Sequence, residues 1–403
     1  VFQSLRRNLG FQNESQKQSM EQKYFIKHLF TGERWLENAV LVTTNGKVSI
    51  LTDDPIEVAA AKNKPMIEYL ETVIPGFIDI QVNGGGGELF NQNPSVNALE
   101  SIATTHQRFG TTSWLPTVIT DQFETMERAA NAVAEARKNP RLGILGVHFE
   151  GPGIATSKKG AHSQGLVRAL ESAELELFTR DDLGVVVVTL APETVPADQI
   201  EWLTQRGVIV CLGHSNANVD EVIKAIHSGA KGFTHLFNAM SPLTSREPGM
   251  VGVALHSEKT FCGIIVDGFH VHPLAISLAY RLKTANRLIL VTDAMAPTGT
   301  DLKRVEFFDR EILRDGDRLT STTGELAGSV LTMNQAFINA MEWLDIPIEM
   351  ASTMSAKTPA TFLGIEQEYG HLEVGCHANF IALDSNYRVL STWVMANNVY
   401  TKQ

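Results

Sequence analysis

Between residues 73 and 292 the chain repeats one pattern eight times: a short apolar run, followed in most intervals by apolar residues at helical spacing. The runs are 73–80, 112–119, 142–149, 184–190, 208–212, 232–235, 262–266 and 288–292; the helical patterns are 96–109, 121–137, 172–178, 197–205, 219–227 and 273–282. Strands apolar on both faces need cover on both faces, and strands joined through helices run parallel. Eight of them over roughly 220 residues predict a closed (β/α)8 barrel, an α/β fold of TIM type. A doubly wound open sheet is the alternative. It is weakened by the glycine run 84–87, which has neither the dinucleotide spacing G-x-G-x-x-G nor the phosphate-loop spacing and reads as a flexible loop.

The flanks have a different character. Runs at 24–26, 39–43 and 48–51, with Asn45-Gly46 as a hairpin turn, are matched at the other end by 379–383, 389–393 and 399–401. The two ends of a barrel chain lie close together, so these pieces are expected to form one small discontinuous β-sandwich domain. Residues 305–319 read as a hairpin insertion turning at Asp315-Gly316, followed by helices at 333–343 and 348–355. The expected division is 1–19 as a tag or disordered leader, 20–72 and 366–403 as the sandwich, and 73–365 as the barrel. A net charge of −11, with no basic run interleaved with aromatics, argues against nucleic acid. No apolar run approaches membrane-spanning length. Three cysteines without C-x-x-C spacing fit a reducing, cytoplasmic setting.

Barrel enzymes carry their chemistry at the carboxyl ends of the strands. Here strand 3 ends HFEGP with Glu150, strand 5 at His214 and strand 6 at His235. Strand 7 ends DGFH, Asp267 to His270, and strand 8 ends VTDA with Asp293. The two histidines are one β/α unit apart, across a helix with Asn218 and Glu221 as a capping pair and Gly229 as its stop. A lone histidine is ordinarily core or surface, but polar groups at the same place on five strands point to a shared rim. A carboxylate and two imidazoles with an open position are the pattern of a catalytic divalent metal site, which lowers the pKa of water from 15.7 to about 7. A base is needed beside it, and Asp293 is the candidate; a fourth ligand or a helix cap is its plainer reading. His148 reads as structural, Cys211 as core, and His28, His106, His227, His256, His272, His371 and His377 as surface groups. Arg246, Lys158 and Lys159 are rim cations, ordinarily only solvated, though a guanidinium suits a phosphate.

The segments PGFIDIQVNGGGG (75–87), HFEGP (148–152), KKGAH (158–162), LAPE (190–193) and GHSNA (213–217) stand in an order that, with five more, carries a resemblance. The five are THLFNAM (234–240), REPG (246–249), DGFH (267–270), VTDA (291–294) and LAGSVLTM (326–333). On these the chain resembles the amidohydrolase superfamily, and within it the N-acetylglucosamine-6-phosphate deacetylase family. The resemblance implies a barrel with a β-sandwich, a homodimer, and hydrolysis of the acetamide of N-acetyl-D-glucosamine 6-phosphate to D-glucosamine 6-phosphate and acetate. It implies that Glu150, His214 and His235 hold one divalent metal, Zn2+ first, with Fe2+, Co2+ and Mn2+ compatible. It makes Asp293 the acid/base and assigns substrate contacts to Ala161, His162, Asn238, Ala239, Asp267, Gly268, Phe269, His270, Leu326, Ala327 and Gly328. Arg246 is expected to reach the phosphate in the neighbouring subunit's site. Where many superfamily members carry His-x-His, this chain has Gln81 and Asn83, and LAPE lacks the lysine that bridges two metals, so one metal is expected. A dihydroorotase-like cyclic amidase and a catalytically silent sugar-phosphate-binding barrel are the competing readings.

Overall fold

The computed structural model describes residues 21–63, 67–308, 310–322, 324 and 326–402; the leader expected over 1–19 lies outside them. The chain opens with β1 (Glu21–Phe30), β2 (Trp35–Thr44), β3 (Lys47–Thr52), α1 (Pro55–Lys62) and β4 (Ile67–Pro75). Asn45 and Gly46 take φ of 52° and 82°, the paired positive values that a two-residue hairpin turn requires.

β5 (Phe77–Val82) starts the barrel. A miniature hairpin follows, β6 (Gly84–Gly85) and β7 (Glu88–Leu89), and then the alternation sets in. It runs α2 (Val96–Gln107), β8 (Thr111–Ile119), α3 (Phe123–Ala136), β9 (Gly146–Glu150), α4 (Ser172–Phe178), β10 (Val185–Leu190), α5 (Ala197–Thr204) and β11 (Ile209–Leu212). It continues α6 (Val219–His227), β12 (Gly232–Phe233), α7 (Gly249–His256), β13 (Phe261–Ile264), α8 (Pro273–Lys283) and β14 (Leu288–Leu290). β5 and β8 to β14 form one sheet in chain order, every pair parallel. A parallel bridge from Val82 to Ala294 closes the seam between first and last strand, so the fold is the expected barrel. Its strands are buried almost throughout, as the unbroken apolar runs required.

After the barrel come β15 (Arg304–Phe307), β16 (Arg310–Asp315) and β17 (Arg318–Ser321), a three-stranded meander. α9 (Met333–Leu344), α10 (Ile348–Ser352), a π turn at Thr353–Lys357 and α11 (Thr358–Leu363) lead to β18 (Phe380–Leu383), β19 (Val389–Val394) and β20 (Asn397–Thr401). The terminal strands join as one sheet in the order β20-β19-β18-β4-β1-β2-β3. The sheet rolls over until Lys47 bridges to His377, wrapping Tyr24, Leu29, Leu41, Phe380 and Trp393 inside as a sandwich. It braces the barrel through Asn379 Nδ2 to Ser113 Oγ (3.1 Å) and Thr392 Oγ1 to the Gln107 carbonyl (2.8 Å).

Three local expectations change. The strand expected over 73–80 breaks at Gly76: residues up to Pro75 pair with β18 in the terminal sheet, and only β5 belongs to the barrel. Gly76 makes the crossing because a Cβ there would stand 2.2 Å from Thr112. A division at 72/73 therefore falls within β4. The strand expected from 142 starts at Gly146, because a 3₁₀ turn at Pro140–Leu142 ends in Gly143 at φ 68°. α7 was not foreseen, since Met250, Val251, Val253, Ala254 and Leu255 are all buried and leave no polar face to set a period.

Candidate active site

Three of the residues singled out at strand ends hold left-handed backbone: His214 at φ 48°, His235 at 35° and Asp293 at 52°. A non-glycine residue there is costly and persists where the surroundings impose it, which is typical of functional positions. The turn ends each strand and swings the side chain inward. Glu150 is the last residue of β9, and its Oε1 lies 3.0 Å from His214 Nε2 and 2.9 Å from His235 Nε2. The two Nε2 atoms are 3.0 Å apart, and all three residues are buried.

His214 Nδ1 lies 2.8 Å from the Lys158 carbonyl, which can only accept, so Nδ1 carries the proton and Nε2 presents a lone pair. His235 also turns its Nε2 to Glu150, so a carboxylate and the Nε2 atoms of two imidazoles converge. Donors at about 2.0–2.2 Å from a tetrahedral ion stand roughly 3.3 Å apart, and the 2.9–3.0 Å separations here need to open by only a few tenths of an ångström to take such an ion. Glu150, His214 and His235 are the one group of three or more potential ligands that the described residues bring together. Burial pushes Glu150 up, but hydrogen bonds and charge from both histidines overcome it and hold the carboxyl well below its ordinary value.

Asp293 is fixed by the barrel seam. Its N–H donates to the Gln81 carbonyl (3.0 Å) and its carbonyl accepts from Ser329 N (3.0 Å). Gly328 permits that approach, because a Cβ on it would lie 2.4 Å from Met295 Cγ at φ 61°. Asp293 Oδ1 accepts from Asn83 Nδ2 (2.6 Å) and Gln81 Nε2 (3.2 Å). The same Gln81 amide reaches both oxygens of Glu150, at 3.3 and 3.4 Å. Burial raises the Asp293 carboxyl to about 6, Glu150's charge adding to it while His235, His270 and Asn83 oppose. Such a group can take up and release a proton near neutrality.

A cavity of about 170 Å³ opens on this cluster. Of the residues selected from sequence, Glu150, His214, His235, Asp293, Ala161, His162, Asn238, Ala239, His270, Leu326, Ala327 and Gly328 line it. Asp267, Gly268, Phe269 and Arg246 do not. Asp267 instead orients His270, accepting from its Nδ1 at 2.6 Å. Phe269 is exposed, and Arg246 projects from the loop between β12 and α7 with no ion-pair partner among the described residues. His162 is buried, its Nδ1 2.8 Å from Thr120 Oγ1. Burial, then the neighbouring His214, hold it well below its ordinary value, so it is neutral.

Asn83, Ile119, Gly160, Met295 and Phe307 also line the cavity and were missed. Gln81 and Asn83 drew attention only as the amides standing where others carry histidines; nothing in the sequence tied them to Asp293. His106, expected at the surface, is fully buried and bonded to the Gly84 carbonyl at 2.9 Å. It packs behind the glycine loop, where a Cβ on Gly85 would lie 2.8 Å from its ring. His148 is buried in the barrel, 2.7 Å from Thr189 Oγ1, a structural position as read. A larger groove of about 910 Å³ beside α9, lined by Arg108, Tyr387, Arg388 and others, contains none of these residues.

A closed parallel barrel with an acid and two imidazoles converging at its strand ends defines a metal-dependent hydrolase of barrel type. The Amidohydrolase family profile matches residues 72–401, and the chain belongs to that family. It is 48% identical to an N-acetylgalactosamine-6-phosphate deacetylase of Shewanella sp. (strain ANA-3), over 82% of this chain and 83% of the relative. It is 35% identical to an N-acetylglucosamine-6-phosphate deacetylase of Vibrio furnissii, over 92% of each. The crystal structure of N-acetylglucosamine-6-phosphate deacetylase from Pasteurella multocida superposes with a TM-score of 0.89 at 33% identity, covering 95% of this chain and 100% of that one.

Proposed function

We propose that this chain hydrolyses the acetamide of N-acetyl-D-glucosamine 6-phosphate, releasing acetate and D-glucosamine 6-phosphate in amino-sugar catabolism. One observation carries the reading: the Glu150–His214–His235 cluster and a carboxyl poised near neutrality, Asp293, face one cavity. Relatives named for this chemistry support it. Glu150, His214 and His235 would hold one divalent ion, Zn2+ foremost, with Fe2+, Co2+ and Mn2+ as competitors; when bound it supplies Lewis acidity for a carbonyl and for water. Gln81 and Asn83, committed to Asp293, leave no second ligand set, which supports a single ion.

Asp293 is the acid/base. Its Oδ1 is occupied by two amide donors, while Oδ2 has no partner among the described residues. Oδ2 is therefore the atom that removes a proton from the attacking water and returns it to the leaving amine nitrogen. Neutral His162, together with His270 aligned by Asp267, is placed to hydrogen-bond the sugar, with Asn238, Ala239 and the Leu326–Gly328 segment completing the wall.

A homodimer completes the site in this reading, with the partner's Arg246 meeting the phosphate. Leu274, Leu278 and Leu282 repeat every fourth residue along α8 at 71, 58 and 59% exposure, and Leu243, three residues from Arg246, is equally bare. Such a stripe is what an interface covers. The barrel, which starts at β5, carries the chemistry, and the terminal sheet braces it. We place the enzyme in the cytoplasm, where three free, buried cysteines are at home. Among the described residues no helix is long and apolar enough to cross a membrane.

The 48% identity to a galactosamine-named relative favours the C4 epimer as a second substrate reading. Acetate release by the metal-loaded enzyme from N-acetylglucosamine 6-phosphate, N-acetylgalactosamine 6-phosphate and their unphosphorylated forms, with ring opening of dihydroorotate assayed alongside, decides among these. Turnover of a phosphorylated N-acetylhexosamine is expected. Ring opening of dihydroorotate alone, or no turnover, would overturn the proposal.

A further inference from the structure

We infer that Lys159 supplies, from the same chain as the cavity, the positive charge that meets the substrate's phosphate. The inference rests on the proposed function in one respect, the phosphorylated substrate, and otherwise on the geometry of one loop. That loop is stitched to the site on both sides of Lys159. Before it, the Lys158 carbonyl accepts from His214 Nδ1; after it, Gly160, Ala161 and His162 line the cavity. Lys159's own carbonyl accepts from His162 N at 3.0 Å, so its backbone is locked to a cavity residue. Its Nζ donates to the Gly160 carbonyl at 3.3 Å, which holds the ammonium at the cavity mouth.

The charge pattern gives that ammonium a purpose. Glu150 and Asp293 line the cavity, and no Lys or Arg does among the described residues. The chain as a whole carries −11. A divalent ion on Glu150, His214 and His235 would offset these two carboxylates, which leaves the lining with no net attraction for a phosphomonoester, close to doubly negative near neutrality; a cation at the entrance supplies it. Lys159 is half-buried, has no carboxylate partner among the described residues, and is held only by a carbonyl that leaves its other protons free. The phosphate would then lie between Lys159 of one subunit and Arg246 of its partner, and selection for phosphorylated over free sugar would be shared by the two.

Steady-state kinetics of Lys159→Met and Lys159→Arg on phosphorylated and free N-acetylhexosamine test this. Losing one charge-assisted hydrogen bond at a partly exposed site raises KM for the phosphorylated substrate about tenfold. The change in kcat should stay within about twofold, so that the preference for phosphorylated over free sugar falls by the same roughly tenfold factor. Arginine should restore most of it, which a packing role would not do. Calorimetry with inorganic phosphate gives a second reading that needs no turnover, and binding should weaken to a similar degree in Lys159→Met. Equal KM ratios and equal phosphate binding in wild type and Lys159→Met would overturn the assignment. If the wild type releases no acetate from any phosphorylated sugar, the proposed function falls, and phosphate binding still judges Lys159.

Discussion

Asp293→Asn separates chemistry from architecture unusually well, because the structure shows what asparagine keeps. Asp293 sits at φ 52°, which asparagine tolerates better than most residues. The side-chain oxygen of Asn can still accept from Asn83 Nδ2 and Gln81 Nε2, and its amide takes the place of the unpartnered Oδ2. Asp293→Ala would instead strand the Asn83 amide donor at about 1–3 kcal/mol, Gln81 keeping its contacts to Glu150, and add left-handed strain of about 1–2 kcal/mol. Asparagine should therefore cost little stability and leave the metal ligands in place, while removing the proton carrier. General acid–base catalysis is worth about 10²–10⁴, so kcat should drop by that factor, or roughly 3–5 kcal/mol of barrier. The assay is acetate release, run beside metal content and a thermal melt. The wild type adds a pH signature. A base works ionised, so the rate is full above the pKa and falls as pH drops through it. Burial puts that carboxyl at about 6, and a bound cation favours the ionised form, so the acid limb of kcat/KM should lie at 6 or below. An asparagine variant with metal bound and near-normal turnover would refute the role of Asp293.

Other outcomes follow from neighbouring features. Arg246→Ala should raise KM for the phosphorylated substrate about tenfold and barely move free N-acetylhexosamine; equal losses on both would argue against a phosphate role. Leu278→Glu, on the bare face of α8, should shift the protein to monomer in analytical ultracentrifugation and raise KM for the phosphorylated substrate as well. A dimer that survives this change places the interface elsewhere. Burial lowers His106 to about 4, against the pull of its bond to Gly84, while the unfolded chain takes up that proton near 6.5. The unfolded state binds more protons between those values, so stability is lost as pH falls through 6.5 toward 4, by about 2 kcal/mol at pH 5 for this group. Urea midpoints should show a shallower acid loss for His106→Gln; an unchanged slope would place the titration elsewhere.

The barrel was legible because parallel strands covered on both faces write themselves as unbroken apolar runs, and helices between them as a 3.6-residue period. The rim was legible for a related reason: a polar residue ending such a run, as at Glu150, His214, His235 and Asp293, contradicts its surroundings. What escaped reading was what depends on contacts remote in sequence. Gln81 and Asn83 find Asp293 more than 200 positions away, across the barrel seam. Phe307 enters the cavity from a meander with no internal signal of where it packs. His106 looks like a surface histidine until the glycine loop closes over it, and α7 is too evenly apolar to announce its period. Gly76 shows the limit of pattern alone, since 73–80 reads as one strand and only the approach of Thr112 cuts it in two.

Anomalous diffraction from crystals of the zinc-loaded protein tests the core of this interpretation most directly. One zinc peak per chain is expected, about 2.0–2.2 Å from Glu150 Oε1, His214 Nε2 and His235 Nε2, with Gln81 and Asn83 outside its coordination sphere. A second ion held by Gln81 or Asn83, or no ion among the acid and the two imidazoles, would contradict it.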